Sequence, residues 1–443
     1  MGQDLAGTDE LENIIQQVLE GAKKEGATSA EADIAVGEGL SVTVRMGELE
    51  TIEHQRDKGL GVTVYAGQRK GSASSTDFSP RAIEETVRAA CTIARNASED
   101  PCAGLVDAAY LAKDIPDLDL HHNWDIDAEQ ATELAISCER HALDCDDRIT
   151  NADGTLVNTY SGRHVYGNSH GFMGGWDWSN HSLDCTVIAD QDGMQRDGWY
   201  TKSRCPDDLE DSRSVGENAA RRTVARLGAR QLSTRQAPVI FEAPVASGLF
   251  SAFISAISGG SLYRKASFML DKLGEQVFSP DIDIYEDPFL PRAMGSAAFD
   301  SDGAATNQRT IVEAGVLQGY VLSAYSARKL GLEPTGNAGG VHNLFVKTGE
   351  QDLAGLMKSM DTGLLVTDMI GFGVNQVTGD YSRGASGFWV ENGEIQYPVE
   401  EITVAGNLLD MYQQIAGISS DVDTRGNIRT GSVLLENMTV AGQ

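Results

Sequence analysis

The sequence predicts an α+β protein, with antiparallel sheets and helices in its N-terminal half and a mostly β C-terminal half carrying a few helices. Two observations point there. Segments with apolar residues at helical spacing are separated by runs in which apolar and polar residues alternate. The second half is also rich in glycine turns, such as GLEPTGNAGG and GFGVNQVTGD, which leave room only for short strands.

Taken in order, the first helix is read over residues 10–25, where Leu11, Ile14, Ile15, Val18 and Ala22 share a face and Gly26 ends it. Four alternating runs follow, LSVTVRMG, ELETIEHQ, GLGVTVYAG and RKGSASS, and the glycines between them predict an antiparallel meander. Ser79 caps and Pro80 begins a helix with Ile83, Val87, Ala90 and Ala94 inside. The linker DLDLHHNWDID leads to a helix over 128–144. From about 149 to 202, aromatic and β-branched residues alternate with turn formers, which predicts long β-hairpins. Four of the five tryptophans lie between Trp124 and Trp199, so this block holds much of the aromatic packing. A helix over 215–227 bears Arg221, Arg222 and Arg226, with Arg230 just beyond, and reads as a locally salt-bridged face. The polar stretch GARQLSTRQAP marks the main boundary, near 229–237. Beyond it, helices are expected near 245–258, 323–330, 350–360 and 406–416 among short strands. The predicted domains are 1–123, an α+β unit; 124–232, a helix and β-hairpin unit; and 233–443, β-rich.

A chain of 443 residues that is 41% hydrophobic can fill two or three cores. Its 65 acidic and 35 basic residues give a net charge of −30, spread along the chain. Such a surface repels phosphate backbones and argues against direct nucleic-acid binding. The opening MGQDLAGTDE lacks the basic and apolar regions of a secretion leader, and Ala6 stands where a myristoylation signal needs Ser or Thr. No apolar run reaches the roughly 18 residues of a bilayer span. A cytoplasmic protein without membrane contact is expected. Six cysteines without a CxxC pair read as reduced thiols, with Cys138 and Cys145 packed on one helix face.

Most motifs of catalysis are missing. None of the eight histidines stands in HExxH, and adjacent His121 and His122 face opposite ways on an extended chain. GNSHG and GASG are not the GxSxG of a nucleophile elbow, and a pairing of Ser261 with Lys265 arises readily by chance. No phosphate loop GxxxxGK[ST] occurs. Two features stay open. GLFSAFISAISGGSLYRKASF, with the serine just before it, carries Ser247, Ser251, Ser255 and Ser258 along one edge of an apolar helix, suited to close helix packing or to lining a wet interior. In TGDYSRGASGFWVENGEI, Asp380, Tyr381, Arg383 and Trp389 crowd a glycine-broken hairpin, read either as a turn with aromatic cover or as a cleft wall gripping extended peptide.

The run GVNQVTGDYSRGASGFWVENGEIQYPVEEITVAGN, followed by DVDTRGN and GSVLLENMTVAG, resembles the C-terminal region of the PmbA/TldE branch of the TldD/PmbA family. YSARKLGLEPTGNAGG, YRKAS and GNSHGF extend the likeness over nearly the whole chain. The resemblance implies an α+β subunit that pairs with a TldD-type partner in a cytoplasmic metallopeptidase acting on small unfolded peptides, including leader peptides of microcin-like antibiotics. A homodimer active alone and a modulator of DNA gyrase are the alternatives it leaves.

In the TldD branch the metal is carried on HExxxH in the helix that opens the second half, with a cysteine near the C-terminus. Counting back from Arg264 and Lys265 places the two histidines on Phe250 and Ser255 and the glutamate on Ser251; counting back from Gly431 places the cysteine on Asn427. A phenyl ring cannot bind zinc, and hydroxyl and amide groups are poor zinc ligands. No general base remains to deprotonate a bound water. The resemblance therefore implies no catalytic residue and no metal in this chain, with zinc held by the TldD-type partner.

Overall fold

The computed structural model describes residues 7–442, so the leader and acylation readings at the first six positions lie outside the described residues. Helix α1 (Thr8–Lys24) buries the five apolar residues read from the sequence, and the chain reverses at Gly26, whose φ of 88° only glycine adopts cheaply. Strands β1 (Ser29–Arg45), β2 (Glu48–Ala66) and β3 (Arg69–Ser75) form the expected meander. ELETIEHQ and GLGVTVYAG are one strand, not two, because Gly59 and Gly61 stay paired with Ala35 and Asp33. Helix α2 (Pro80–Asn96) starts under the Ser79 hydroxyl, which accepts from the Ala82 amide. Helix α3 (Ala128–Leu143) is closed by an Asp127–Gln130 capping box. It ends before Cys145, which is exposed rather than packed beside buried Cys138. Strands β4 (Ile149–Asn168), β5 (Met173–Asp190) and β6 (Met194–Ser203) are the predicted hairpins, and α4 (Ser212–Ala225) follows.

Strand β1 pairs with β4 along most of its length, making one antiparallel sheet in the order β3-β2-β1-β4-β5-β6. Its ladder runs across the division drawn at 123/124. One face is sealed by α1 and α2 over Ile34, Val62 and Val165, and by α3 and α4 over Val42, Val157 and Leu183. By the two-residue alternation of strands, Tyr160, Trp176 and Trp178 emerge on the other face.

The second half runs β7 (Arg235–Phe241), α5 (Ala243–Ala256), α6 (Gly259–Tyr263), β8 (Ile284–Asp287), β9 (Arg309–Glu313), β10 (Val316–Leu317), α7 (Ala324–Leu330), β11 (Asn343–Val346), α8 (Leu353–Met360), β12 (Gly363–Ile370), β13 (Asp380–Glu391), β14 (Glu394–Asn407), α9 (Leu408–Gln413), β15 (Ile415–Ile418), β16 (Ile428–Arg429) and β17 (Val433–Ala441). Sequence periodicity missed only the five-residue α6 among these helices. Strands β10-β9-β8-β11-β16 form one sheet, and β14-β13-β12-β7-β17-β15 another. Because β14 also pairs with β17, five strands of the latter close into a ring. A large core joins α5 to both sheets through Phe241, Phe250, Phe253, Phe278 and Tyr412. Among the described residues no helix is long and apolar enough to cross a membrane.

The arginines of α4 do more than the local pairing expected of them. Arg222 reaches Glu242 at 3.0 Å, and Arg226 meets Asp197 and Asp368, each at 3.5 Å. The Arg226 guanidinium also donates to the Ser386 hydroxyl at 3.0 Å. These contacts tie the N-terminal half to the start of α5 and to the closed strands.

Candidate functional site

Helix α5 is built from small and apolar residues, so its faces are assigned by what it can bury. Phe250 is fully buried and stacks over Phe278 at 6.3 Å, with Phe253 edge-on to the same ring at 4.8 Å. The Tyr412 hydroxyl donates to the Leu249 carbonyl at 2.9 Å, fixing the inner side. Ser251 and Ser255 point the other way and are exposed. The flanking serines bond their own backbone: Ser247 Oγ donates to the Pro244 carbonyl at 2.8 Å and Ser258 Oγ to the Ser255 carbonyl at 2.9 Å. Between the two meanings open for the stripe, helix packing within the chain is ruled out for Ser251 and Ser255.

The last of the four replaced positions lies nearby. Ile428 of β16 packs against the α5 core, and Asn427 precedes it, its amide donating to the Val341 carbonyl at 3.2 Å. A Cβ placed on Gly295 would come within 2.7 Å of the Asn427 Cβ, so the loop at 295 lies directly against this side chain. Phe250 inside, two serines outside and an amide bound to backbone do not form a donor set for zinc. Among the described residues no group of three or more His, Cys, Asp or Glu side chains converges to hold a metal ion.

The structure does not bring the four hairpin residues to one wall. Strand alternation turns Tyr381 inward, 3% exposed and edge-on to Phe241, where burial pushes its pKa up to about 12. Trp389 is likewise buried, its indole donating to Glu391 at 2.9 Å beneath the Arg235 guanidinium. Neither ring can touch a peptide as the strands stand. Asp380 is exposed and accepts from the Thr378 hydroxyl at 2.7 Å. Arg383 donates from Nε to the Gly371 carbonyl at 3.0 Å, and a Cβ on Gly248 would lie 3.9 Å from its guanidinium. It therefore bridges α5 and the β12–β13 connection.

That connection holds what sequence reasoning missed. Ile370 is 61% exposed, Phe372 is fully exposed and Val377 is 56% exposed. The loop is held at its base by the Gly371–Arg383 bond and by the Phe268 amide donating to the Gln376 carbonyl at 2.9 Å. The loop thus carries three exposed apolar side chains, which makes it a candidate for contact with another molecule. The signal was present in IGFGVNQV, where apolar side chains are spread among glycines and amides with no helix or strand period to bury them.

Family models match the chain in three stretches: residues 30–94 to PmbA/TldA metallopeptidase domain 1, 121–227 to the central domain and 234–442 to the C-terminal domain. Metalloprotease PmbA of Escherichia coli O157:H7 is 50% identical over 434 residues, covering 98% of this chain and 96% of that protein. A PmbA homologue of Haemophilus influenzae is 50% identical over 441 residues, covering 99% and 97%. A Bacteroides thetaiotaomicron crystal structure labelled a candidate modulator of DNA gyrase superposes with a TM-score of 0.93 at 28% identity, covering 98% of this chain and 99% of that one. TldE of Thermococcus kodakarensis, at 20% identity and a TM-score of 0.85 over 97% and 100% of the chains, shares the fold. With three family domains in order and half of its residues shared with named members, the chain belongs to the PmbA/TldD metallopeptidase family, on its PmbA/TldE branch.

Proposed function

We propose that this chain is the subunit without metal in a two-chain cytoplasmic metallopeptidase that cleaves small unfolded peptides, including leader peptides of microcin-like products. A TldD-type partner holds the zinc and the general base; this chain completes the chamber and positions the peptide. The observation that carries the reading is the residue set at the places of HExxxH and cysteine: Phe250, Ser251, Ser255 and Asn427. The exposed apolar loop at Phe372, linked to α5 through Arg383, supports a partner surface on the same side. Asp380 and Arg383 are the accessible members of the hairpin and the better candidates for peptide contact; Tyr381 and Trp389 would support them from within.

The second reading, a homodimeric peptidase complete in itself, draws on the relatives named metalloproteases in their own right. A regulatory role at gyrase, suggested by the label of one structural neighbour, has to contend with a net charge of −30. One experiment separates the three. Zinc content is measured in the purified chain, and an unstructured peptide is assayed with the chain, with a TldD-type partner and with both. The expected result is metal-free protein, with EDTA-sensitive cleavage that rises on mixing. Stoichiometric zinc with cleavage by the lone chain overturns the proposal in favour of the homodimer, and no gain on mixing with gyrase co-purification favours the regulator.

A further inference from the structure

The tryptophan-rich block does more than pack, for part of it lines a cavity. On the sheet face turned away from α1 to α4, β5 presents Trp176, Trp178 and Asn180, opposite His164, Gly162 and Tyr160 of β4. Glycines let the rings lie down: a Cβ on Gly162 would meet the Trp178 indole at 2.8 Å, and one on Gly39 the Tyr160 ring at 2.6 Å. Tyr160 then stacks on Trp178 at 5.5 Å and 18°. The result is an aromatic shelf with a cavity of about 310 Å³ beside it, lined by Trp176, Trp178, Asn180, Arg204, Met294 and Gly295 among others.

The charged group of this cavity is incompletely matched. Arg204 is 8% exposed, and among the described residues it makes no ion pair. Its guanidinium donates to three carbonyls only: Ala293 at 3.1 Å, Ser179 at 3.1 Å and Met294 at 2.9 Å. A guanidinium has five N–H groups, so two are left over, and carbonyl dipoles do not neutralise its charge. Burial without a counter-ion lowers its pKa to about 10. A cation lacking an anion beside an apolar shelf describes the complement of one group: a carboxylate with an adjacent side chain. The last residue of a peptide has both.

We infer that this cavity is a carboxylate subsite for the free C-terminus of an extended peptide, with Arg204 pairing the carboxylate and the tryptophans covering the last side chain. The inference rests on the peptide-handling role proposed above. Its test uses binding, not cleavage. An unstructured peptide is titrated into the full chain alone, followed by calorimetry and tryptophan fluorescence, in three forms: free acid, C-terminal amide, and an amide ending in Glu. The free acid should bind at least tenfold more tightly than either amide, as a charge-assisted pair requires. Arg204→Met should erase that preference. Because Arg204 also ties β5 to the 293–294 loop, Arg204→Lys provides the second test: it keeps the charge and should retain part of the acid preference that Arg204→Met loses. Equal binding of acid and amide, or binding of neither, overturns the inference. Equal binding of the Glu-ended amide and the free acid overturns the assignment to the chain terminus. Cleavage that rises on mixing with a partner, without acid preference, removes this site alone; acid preference without any such rise removes the subunit reading and leaves the site.

Discussion

Replacing Phe372 by serine tests the partner surface directly. The ring is fully exposed in the isolated chain, flanked by Ile370 and Val377 at 61% and 56% exposure. An aromatic side chain buries about 150–200 Å² at an interface, which at about 25 cal/mol per Å² gives a gross gain of about 4–5 kcal/mol. Ordering the loop and incomplete burial offset about half of it. Phe372→Ser should therefore weaken association with a TldD-type subunit by about 2 kcal/mol, or roughly thirtyfold in Kd. Isothermal calorimetry on the purified subunits reads this, and thermal unfolding of the variant alone serves as control. Its midpoint should stay where it is, because the ring packs against nothing in the isolated chain. A Kd within threefold of wild type refutes the assignment of this loop to the interface. A marked fall in the variant's own midpoint shows instead that the ring serves the fold.

Three further outcomes follow from side chains already placed. Phe250→Ala should cost about 3–5 kcal/mol in denaturant unfolding, since the ring is fully buried against Phe278; a loss below about 1 kcal/mol contradicts its packing role. Ser255→Ala should leave cleavage by the assembled complex within a few fold, and complete loss with assembly intact sinks the view that Ser255 is no ligand. Burial, with the nearby Asp302 carboxylate, raises Asp300 from 3.8 to about 7. The folded chain then holds a proton that the unfolded chain has released, so this group's stability contribution is full below about pH 4 and is lost as pH rises through 7. Between pH 5 and 8 the melting temperature should fall more steeply in wild type than in Asp300→Asn, and parallel curves would refute it.

The helices were legible because their signals are local. Ser79 and Pro80 announce α2, and five apolar residues at helical spacing announce α1. Strand pairing was less so. Nothing near Asp33 says that it will lie opposite Tyr166, a partner reached only through the register of the whole sheet. The hairpin of Asp380 to Trp389 shows the same limit: composition gathered aromatic and charged residues, but strand alternation and a bulge decide which of them face the core. The absence of ligands at α5 could be read by residue type alone. Its geometry could not, since only packing against Phe278 sends Phe250 inward while Ser251 and Ser255 face out. Arg204 had no sequence signal, because what distinguishes it is the lack of a carboxylate in three dimensions.

Closure of the strand ring by β17 has a consequence for biosynthesis. Gln236 of β7 and Thr439 of β17 bond through their side chains across 203 positions of sequence. As the chain emerges from the ribosome, β7, α5 and β14 are all made before the strand that joins them. Until then β7 and β14 each present an unpaired edge beside the apolar side of α5, a combination that favours association with other nascent chains. Folding of this half therefore waits on β17, and its slow step is the long-range closure of the ring by that strand.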